Sequence, residues 1–163
     1  MTIVDYEPQH QYWFEKFNRY WIEKYFEMEA IDEYVLTNPA AAIIEPGGAI
    51  LMALYDGIPA GTVALRKVDE LTYEFTKMAV DPAFQRKGIA EALSRASFKK
   101  AKELGASTVI LYSNSILKPA IQLYKKLGFK HVPVEKVEYK RSDVKMTIQI
   151  KREPATAKQQ LNN

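Results

Sequence analysis

The sequence predicts a single α/β domain of the α+β kind, in which helices flank both sides of a mixed, mostly antiparallel sheet. The chain has 163 residues, of which 47% are hydrophobic and 12% aromatic, and these values suit one globular domain with a substantial core. Segments with the residue spacing of strands alternate with segments that have the spacing of helices. An Asp56-Gly57 pair between two apolar runs is a strong signal for a tight hairpin. We expect the domain to occupy residues 1–150, and residues 151–163 to form a polar, frayed tail.

The first part of the chain predicts a short strand followed by two helices. The strand is expected over residues 3–6 and is closed by Pro8. Over residues 9–28 aromatic and apolar side chains recur every three to four positions, which predicts a long helix with most of its rings in the core. A weaker helical segment over 30–44 is interrupted at Asn38-Pro39, because the residue before a proline disfavours the helical conformation.

The rest of the chain predicts six strands and two helices. The strands are expected over 49–55 and 59–67, which form the hairpin, and over 71–80, 108–112, 129–134 and 144–150. The helices are expected over 88–104 and 119–127, each ended by a glycine. The inward stripe of the first of these helices is predicted to be Ile89, Leu93, Ala96 and Leu104.

Composition excludes several classes of function. A net charge of +3 is too small to indicate nucleic-acid binding. Without cysteine there is no disulfide, thiolate metal site or cysteine nucleophile, and neither His10 nor His131 has the carboxylate spacing of a metal site. No signal-like or membrane-spanning apolar run is present, so we expect a cytoplasmic protein without membrane contact. Whether the chain forms a homodimer is left open.

The stretch from Met78 to Ala90 has the features of an anion site. A strand end, a short basic loop with Gly88 and the start of a helix follow one another. Helix-start N–H groups lack intrahelical partners and carry the positive end of the helix dipole, and Arg86 and Lys87 add full charges. The alternative is an ordinary strand-to-helix turn with solvated basic side chains. The loop lacks the Gly-Lys-Ser/Thr ending of a Walker motif, which argues against a kinase-like nucleotide site.

Three segments of the chain resemble the GCN5-related N-acetyltransferase (GNAT) superfamily. They are the strand end at 78–82, the later run from Ser113-Asn114 to Phe129, and the loop Gln85-Arg86-Lys87-Gly88-Ile89-Ala90, which fits the pattern Q/R-x-x-G-x-G/A. The similarity covers roughly residues 49–133. It implies an acyltransferase that uses acetyl-CoA as acyl donor and no metal, with strands 71–80 and 108–112 parallel and splayed at the cofactor. It also implies that the first helices form a wall of the acceptor site.

The resemblance assigns the cofactor to main-chain and loop positions. Backbone groups of Met78, Ala79 and Val80 would pair with the pantetheine arm, and residues 85–90 would hold the pyrophosphate. Asn114 is a further candidate, although many relatives carry their asparagine seven residues before the tyrosine, where this chain has Leu117. A turn or capping role for Asn114 is the alternative.

Glu74 is the candidate general base. By strand periodicity Glu74, Thr76 and Met78 share one face, so the carboxylate would point toward the thioester end of the cofactor. The resemblance places the base of the histone acetyltransferase branch at this position. A half-buried carboxylate could have the raised pKa that base catalysis requires. The alternative is a surface ion pair with Lys77 or Arg66.

Tyr124 is the candidate group that assists the leaving thiolate. The resemblance matches it to the family tyrosine near the cofactor sulfur, and a phenol there can stabilise or protonate a thiolate. The alternative is a core tyrosine on the inward face of its helix. Arg141-Ser142-Asp143 precedes the last strand and forms either the rim of the acceptor site or a solvated turn.

We therefore expect an N-acetyltransferase that moves an acetyl group from acetyl-CoA to a primary amine by direct attack in a ternary complex. The acceptor would be a small molecule or a peptide amine. A non-catalytic acyl-CoA-binding sensor is the alternative from another class of function.

Overall fold

A seven-stranded sheet lies at the centre of the computed structural model, which describes residues 1–135 and 140–150. The strands are β1 (Thr2–Asp5), β2 (Ala49–Tyr55), β3 (Ile58–Lys67), β4 (Thr72–Val80), β5 (Thr108–Ser113), β6 (Lys130–Val132) and β7 (Val144–Gln149). Their spatial order is β1-β2-β3-β4-β5-β7-β6, and every neighbouring pair is antiparallel except β4 and β5, which are parallel. The mixed, mostly antiparallel sheet and its one parallel pair confirm the predicted fold class.

In the part of the chain that the structure describes, four α-helices pack on the sheet, two on each face. They are α1 (Gln11–Tyr25), α2 (Ala30–Thr37), α3 (Ile89–Glu103) and α4 (Lys118–Leu127). One apolar core joins α1 and α2 to Ile50, Met52 and Ala64, and the other joins α3 and α4 to Leu51, Val63 and Phe75. Because side chains of neighbouring strand residues point to opposite faces, these two cores lie on opposite sides of the sheet.

The local signals that predicted the connections agree with the structure. Asp56 and Gly57 have φ values of 52° and 78°, the left-handed conformations that a two-residue hairpin turn requires. The helical segment after α1 is interrupted as expected: α2 ends at Thr37, and a π-helical turn follows over Ala40–Ile44. Short 3₁₀ turns precede α1, at Pro8–His10, and follow β4, at Pro82–Phe84.

Some predicted boundaries are wrong. The first helix ends at Tyr25 rather than at residue 28, and the strand expected over 129–134 is limited to Lys130–Val132. Leu104 does not belong to the inward stripe of α3, because it lies just beyond the helix end and is 36% exposed. The predicted frayed tail, 151–163, lies outside the described residues.

The central parallel pair separates after three residue pairs. Thr72, Tyr73 and Glu74 of β4 pair with residues 108–110 of β5, and no pairing between these two strands follows Glu74. Both strands continue, β4 to Val80 and β5 to Ser113. The predicted splay is therefore present, and it opens a gap at the carboxyl ends of the two strands.

A β-bulge in β4 overturns one prediction about the direction of side chains. Lys77 and Met78 together oppose Val63 of β3, and Lys77 has a left-handed φ of 55°. The extra residue breaks the twofold alternation, so Glu74 and Met78 do not share a face. Glu74, Thr76 and Lys77 line a pocket against α2, whereas the Met78 sulfur accepts a 3.5 Å hydrogen bond from Ser94 of α3.

Candidate active site

The gap between the splayed strands is the entrance to a cavity of about 470 Å³. Its walls come from the second halves of β4 and β5, the last turns of α1, and α4. One end of the cavity, the loop end, reaches Val80, Gln85, Ala90 and Leu123, which also line a pocket over the basic loop. The other end, the α2 end, reaches Glu74, Thr76 and Lys77, which also line the pocket against α2.

The free edge of β4 forms one wall of the cavity. On its other side β4 pairs with β3, with Val80 opposite Gly61 and Ala79 opposite Thr62. Met78, Ala79 and Val80, the residues expected to pair with a pantetheine arm, all line the cavity. The indole N–H of Trp21 in α1 donates a 2.8 Å hydrogen bond to the carbonyl oxygen of Val80, which places a ring at this edge.

The loop before α3 has the geometry of an anion site. Gly88 is the N-cap of α3 and has a left-handed φ of 75°, and a Cβ added there would have no atom within 4 Å. The first intrahelical hydrogen bond runs from Ala92 to Gly88, so the N–H groups of residues 89–91 have no intrahelical acceptor. Residues 85–88 are exposed, and Ile89 anchors the helix start in the core.

The two basic side chains of the loop differ in their surroundings. Arg86 has a left-handed φ of 62°, and Lys87 Nζ lies 5.1 Å from the centre of the Tyr55 ring. Both residues are exposed and adjacent to the N-terminus of α3, so their charges add to the helix dipole there. The loop can therefore hold a phosphate through main-chain donors and two cations.

Glu74 is buried and paired. Its side chain lines the α2 end of the cavity, and its carboxylate Oε1 accepts a 2.9 Å hydrogen bond from Nε of Arg66, the residue opposite it on β3. Nη2 of Arg66 lies at the same distance from Oε1. The sequence left Glu74 as either a general base or one partner of a surface ion pair. The structure shows the ion pair with Arg66, but this pair lies in the cavity wall rather than on the surface. An ion pair and access to the cavity coexist at this carboxylate.

Tyr124 combines core packing with access to the cavity. Its ring packs edge-on against Phe75 and Phe129, at centroid distances of 5.8 and 5.9 Å. Burial raises the pKa of Tyr124 to about 12. None of the hydrogen bonds among the described residues involves its hydroxyl, and because no buried side-chain oxygen there lacks a partner, the hydroxyl is open to the cavity that the residue lines. The phenol is therefore protonated at neutral pH and available to a group in the cavity.

Asn114 has a role in the turn after β5 and also lines the cavity. Its carboxamide oxygen accepts from the N–H of Ile116, and its amide donates to the carbonyl of Arg141 at 2.6 Å. Asn114 thus makes a hydrogen bond expected of a turn residue, between its side chain and the backbone two residues ahead. Leu117, the position where many relatives carry asparagine, also lines the cavity but supplies only apolar surface.

A buried charge network that the sequence did not reveal lies beside the α2 end of the cavity. Asp32 of α2 is fully buried and contacts Lys77 Nζ at 2.9 Å and two nitrogens of Arg141 at 2.8 Å each. Burial alone would raise the pKa of Asp32, but hydrogen bonds from Arg141 and the charge of Lys77 hold it at about 2. Burial also lowers the pKa of Lys77, against the opposing effect of Asp32. Arg141 is therefore part of an ion network rather than a solvated turn.

The last turns of α1 supply aromatic side chains to the cavity. Trp21, Tyr25 and Phe26 line it, and the Trp21 and Tyr25 rings are parallel at a centroid distance of 6.1 Å. Phe14 and Phe17 lie in the core instead. Helical periodicity showed that both groups were apolar, but it did not show which rings face the gap.

Two further features concern metals and membranes. Within residues 1–135 and 140–150, no group of three or more histidine, aspartate or glutamate side chains could hold a metal ion. His10 is buried and accepts a 2.9 Å hydrogen bond from the Glu7 backbone, which is a structural role. None of the described helices combines the length and the apolar composition that a membrane span needs.

Solved structures share this fold. An acetyltransferase of the GNAT family from Staphylococcus aureus superposes with a TM-score of 0.83 at 17% identity, over 92% of this chain and 99% of that one. The structure of yncA from Salmonella typhimurium, which contains its cofactor acetyl-CoA, gives a TM-score of 0.72 at 20% identity, over 96% and 97% of the two chains. At these identities the likeness shows the arrangement of strands and helices.

Sequence comparisons identify the family of the chain. The N-acetylaspartate synthetase of Rattus norvegicus is 39% identical over 88 residues, which is 53% of this chain but only 29% of that protein. The N-alpha-acetyltransferase of Sulfurisphaera tokodaii is 35% identical over 113 residues, 68% of this chain and 66% of that one. The model of the acetyltransferase (GNAT) family matches residues 9–129, well over half of the sequence. The chain therefore belongs to the acetyltransferase (GNAT) family.

Proposed function

We propose that this protein transfers an acetyl group from acetyl-CoA to a primary amine by direct attack within a ternary complex. The observation that supports this most strongly is the continuity of one cavity from the anion loop, along the free edge of β4, to Glu74 and Tyr124. Such a path matches a cofactor with phosphate at one end, amide groups in the middle and a thioester at the other end.

Backbone groups would hold and activate the donor. N–H groups of residues 89–91 and the cations at 86 and 87 would bind the pyrophosphate. Main-chain groups of Met78, Ala79 and Val80 on the β4 edge would pair with the pantetheine amides, as a strand pairs with a strand. A β4 N–H near the bulge would polarise the thioester carbonyl and stabilise the negative oxygen that forms there.

Glu74 and Tyr124 would move the protons. Glu74 accepts a proton from the acceptor ammonium, directly or through water, and the amine nitrogen then bonds to the thioester carbon. When the carbon–sulfur bond breaks, the electron pair goes to sulfur, and the Tyr124 hydroxyl donates a hydrogen bond or its proton to the thiolate. The nitrogen loses its second proton as the amide forms, and this proton either protonates the thiolate or restores the Tyr124 phenol. Because the chain has no cysteine, no acyl-cysteine intermediate enters this scheme.

The experiment is a panel of amines incubated with acetyl-CoA, with thiol release and product mass measured together. The names of two relatives point to α-amine acceptors, so aspartate and peptides with a free N-terminus belong in the panel beside lysine peptides and small amines. A product heavier by one acetyl group is the expected result. CoA binding without transfer to any acceptor would support the sensor instead.

A further inference from the structure

The charge network around Asp32 joins two parts of the chain on either side of the α2 end of the cavity. One part is the bulge of β4, reached through Lys77, and the other is the loop that leads into β7, reached through Arg141. Lys77 and Arg141 both line the cavity, whereas Asp32 does not. Asp32 is therefore placed to act through other residues.

Asp32 is held in one position by its own helix. Glu29 and Asp32 form a reciprocal capping box at the start of α2, in which the Glu29 N–H donates to Asp32 Oδ2 at 2.9 Å. This leaves the carboxylate fully buried with charged partners on both oxygens: Lys77 and Arg141 contact Oδ1, and Arg141 also contacts Oδ2. A buried carboxylate with this many donors has one favourable orientation.

The contact between Lys77 and Asp32 holds a residue of the β4 bulge. A lysine with a left-handed φ of 55° is uncommon, and such a conformation persists when surrounding contacts fix it. The 2.9 Å ion pair between Lys77 and Asp32 is a contact of this kind, because the Lys77 side chain is 4% exposed and the Asp32 side chain is 0% exposed. The bulge in turn sets the direction of the β4 N–H groups that face the gap.

The contacts of Arg141 hold the loop that leads into β7. Besides Asp32, Arg141 contacts Glu29 at 3.0 Å, lies with its guanidinium carbon 5.8 Å from the Phe26 ring, and has its carbonyl held by Asn114. Arg141 shares Asp32 with Lys77 of β4, and Ser142 beside it lines the cavity. One carboxylate thus links the acceptor side of the cavity with the bulge.

We propose that Asp32 is a positioning residue that couples the loop at residues 140–143 to the β4 bulge, so that the acceptor wall and the thioester-polarising N–H groups are fixed together. The catalytic part of this inference rests on the proposed acetyl transfer. The coupling itself is a property of the fold and can be measured without turnover.

The coupling is tested by changing one end of the network and observing the other. Amide hydrogen exchange is measured on Arg141→Lys, Lys77→Met and Asp32→Asn, each at a temperature where unfolding measurements show it to be folded. We expect Arg141→Lys to speed exchange over residues 77–80, and Lys77→Met to speed it over 141–144. Glu33→Gln is the matched control, since it removes an exposed ion pair with Arg19 from the adjacent position of α2 and should change neither segment.

Kinetics then test the positioning role. With the best acceptor from the amine panel, Lys77→Met and Arg141→Lys should each lower kcat/KM by about tenfold or more, as expected when reacting groups are slightly misplaced. Affinity for ADP, whose diphosphate would bind the loop at residues 85–90 and which has no pantetheine arm to pair with β4, should stay within about twofold. Arg141→Lys keeps a cation at the position, so it tests geometry even if Asp32→Asn does not fold.

Each outcome decides something different. If every variant loosens only its own segment, the coupling is wrong. A second outcome is that exchange shows coupling, the wild type is active, and the variants have the same kcat/KM as the wild type. In that case the positioning role is wrong and the network is purely structural. If the wild type acetylates no amine, the proposed transferase function fails, and the exchange data still decide whether Asp32 couples the two segments.

Discussion

Tyr124 lines the cavity, and the protonation state of its phenol follows directly from its burial. Burial raises the pKa of Tyr124 to about 12, so the hydroxyl keeps its proton near neutral pH. Its ring also fills space between Phe75 and Phe129. Packing and chemistry can therefore be separated by removing the hydroxyl alone.

We expect Tyr124→Phe to lower turnover by roughly ten- to a thousandfold, because a positioned donor to the thiolate is lost. Folding stability and acetyl-CoA affinity should hardly change, since the ring and its contacts remain. Turnover is measured by thiol release, with Tyr12→Phe as control, because Tyr12 is 58% exposed and does not line the cavity. Equal turnover in wild type and Tyr124→Phe would leave the tyrosine with packing as its role.

Glu74→Gln keeps the shape of the side chain but removes its basicity. Turnover should fall near neutral pH and recover at high pH, where more of the acceptor amine is already deprotonated, whereas the deficit of Tyr124→Phe should persist. The measurement is kcat against pH for both variants. Glu70→Gln is the control, since Glu70 is exposed and forms an ion pair with Lys67. Wild-type turnover of Glu74→Gln across the whole pH range would mean that another group is the base.

At this scale the sequence indicated the motif residues and Arg66 as a partner of Glu74, but it did not indicate the charge network at Asp32. Tyr124 and residues 85–90 were found because their spacing is local and specific. The contact between Lys77 and Asp32 joins residues 45 positions apart and depends on a bulge, and strand periodicity contains no signal for either. Periodicity also placed Met78 on the wrong face for the same reason.

Among the elements, the loop and α3 give the sharpest test of cofactor binding. Gly88→Val should weaken CoA binding at least about tenfold, because a branched side chain blocks backbone approach and disfavours the left-handed N-cap. Gly105→Val is a close control: Gly105 lies just beyond the other end of α3, also has a positive φ, and its added Cβ would likewise meet nothing within 4 Å. Calorimetry should show a loss of affinity in the first variant only.

The basic side chains of the loop should act on phosphate. Arg86→Ala and Lys87→Ala are each expected to weaken CoA by roughly tenfold, and to weaken dephosphorylated pantetheine much less, because a charge-assisted contact is lost. Lys99→Ala, an exposed lysine of α3, is the control. Affinities for both ligands at two salt concentrations test this. Equal losses for the two ligands would show that these residues do not contact phosphate.

For the whole molecule, the charge network predicts a dependence of stability on pH. Folding lowers the pKa of Asp32 from 3.8 to about 2, so the unfolded chain binds its proton at a higher pH than the folded one. The contribution of Asp32 to stability is therefore complete above about pH 4 and is lost as the pH falls toward 2. Asp32→Asn should cost roughly 3–5 kcal/mol near neutral pH, because it leaves a buried ion network incomplete.

The difference between wild type and Asp32→Asn should become smaller as the pH falls from about 4 toward 2. Denaturant unfolding at several pH values measures it, with Glu33→Gln as a control whose exposed pair contributes little. A difference that stays constant over this range would mean that Asp32 is not charged in the folded protein.

The architecture as a whole was more predictable than its interior. Turn residues, helix-ending glycines and apolar spacing gave the order and kind of the elements, because each of these signals acts over a few residues. The direction of the α1 rings and the network at Asp32 depend on how distant segments pack. Those features required the structure.

The separation of β4 from β5 has a consequence for self-association. An unpaired strand edge is usually a place where another polypeptide can add a strand and start aggregation. Here such an edge lies in the middle of a sheet, with β5 on the far side of the gap and the rings of α1 beside it. The gap therefore leaves this edge accessible from the cavity, while the flanking elements shield it from strand addition by other polypeptides.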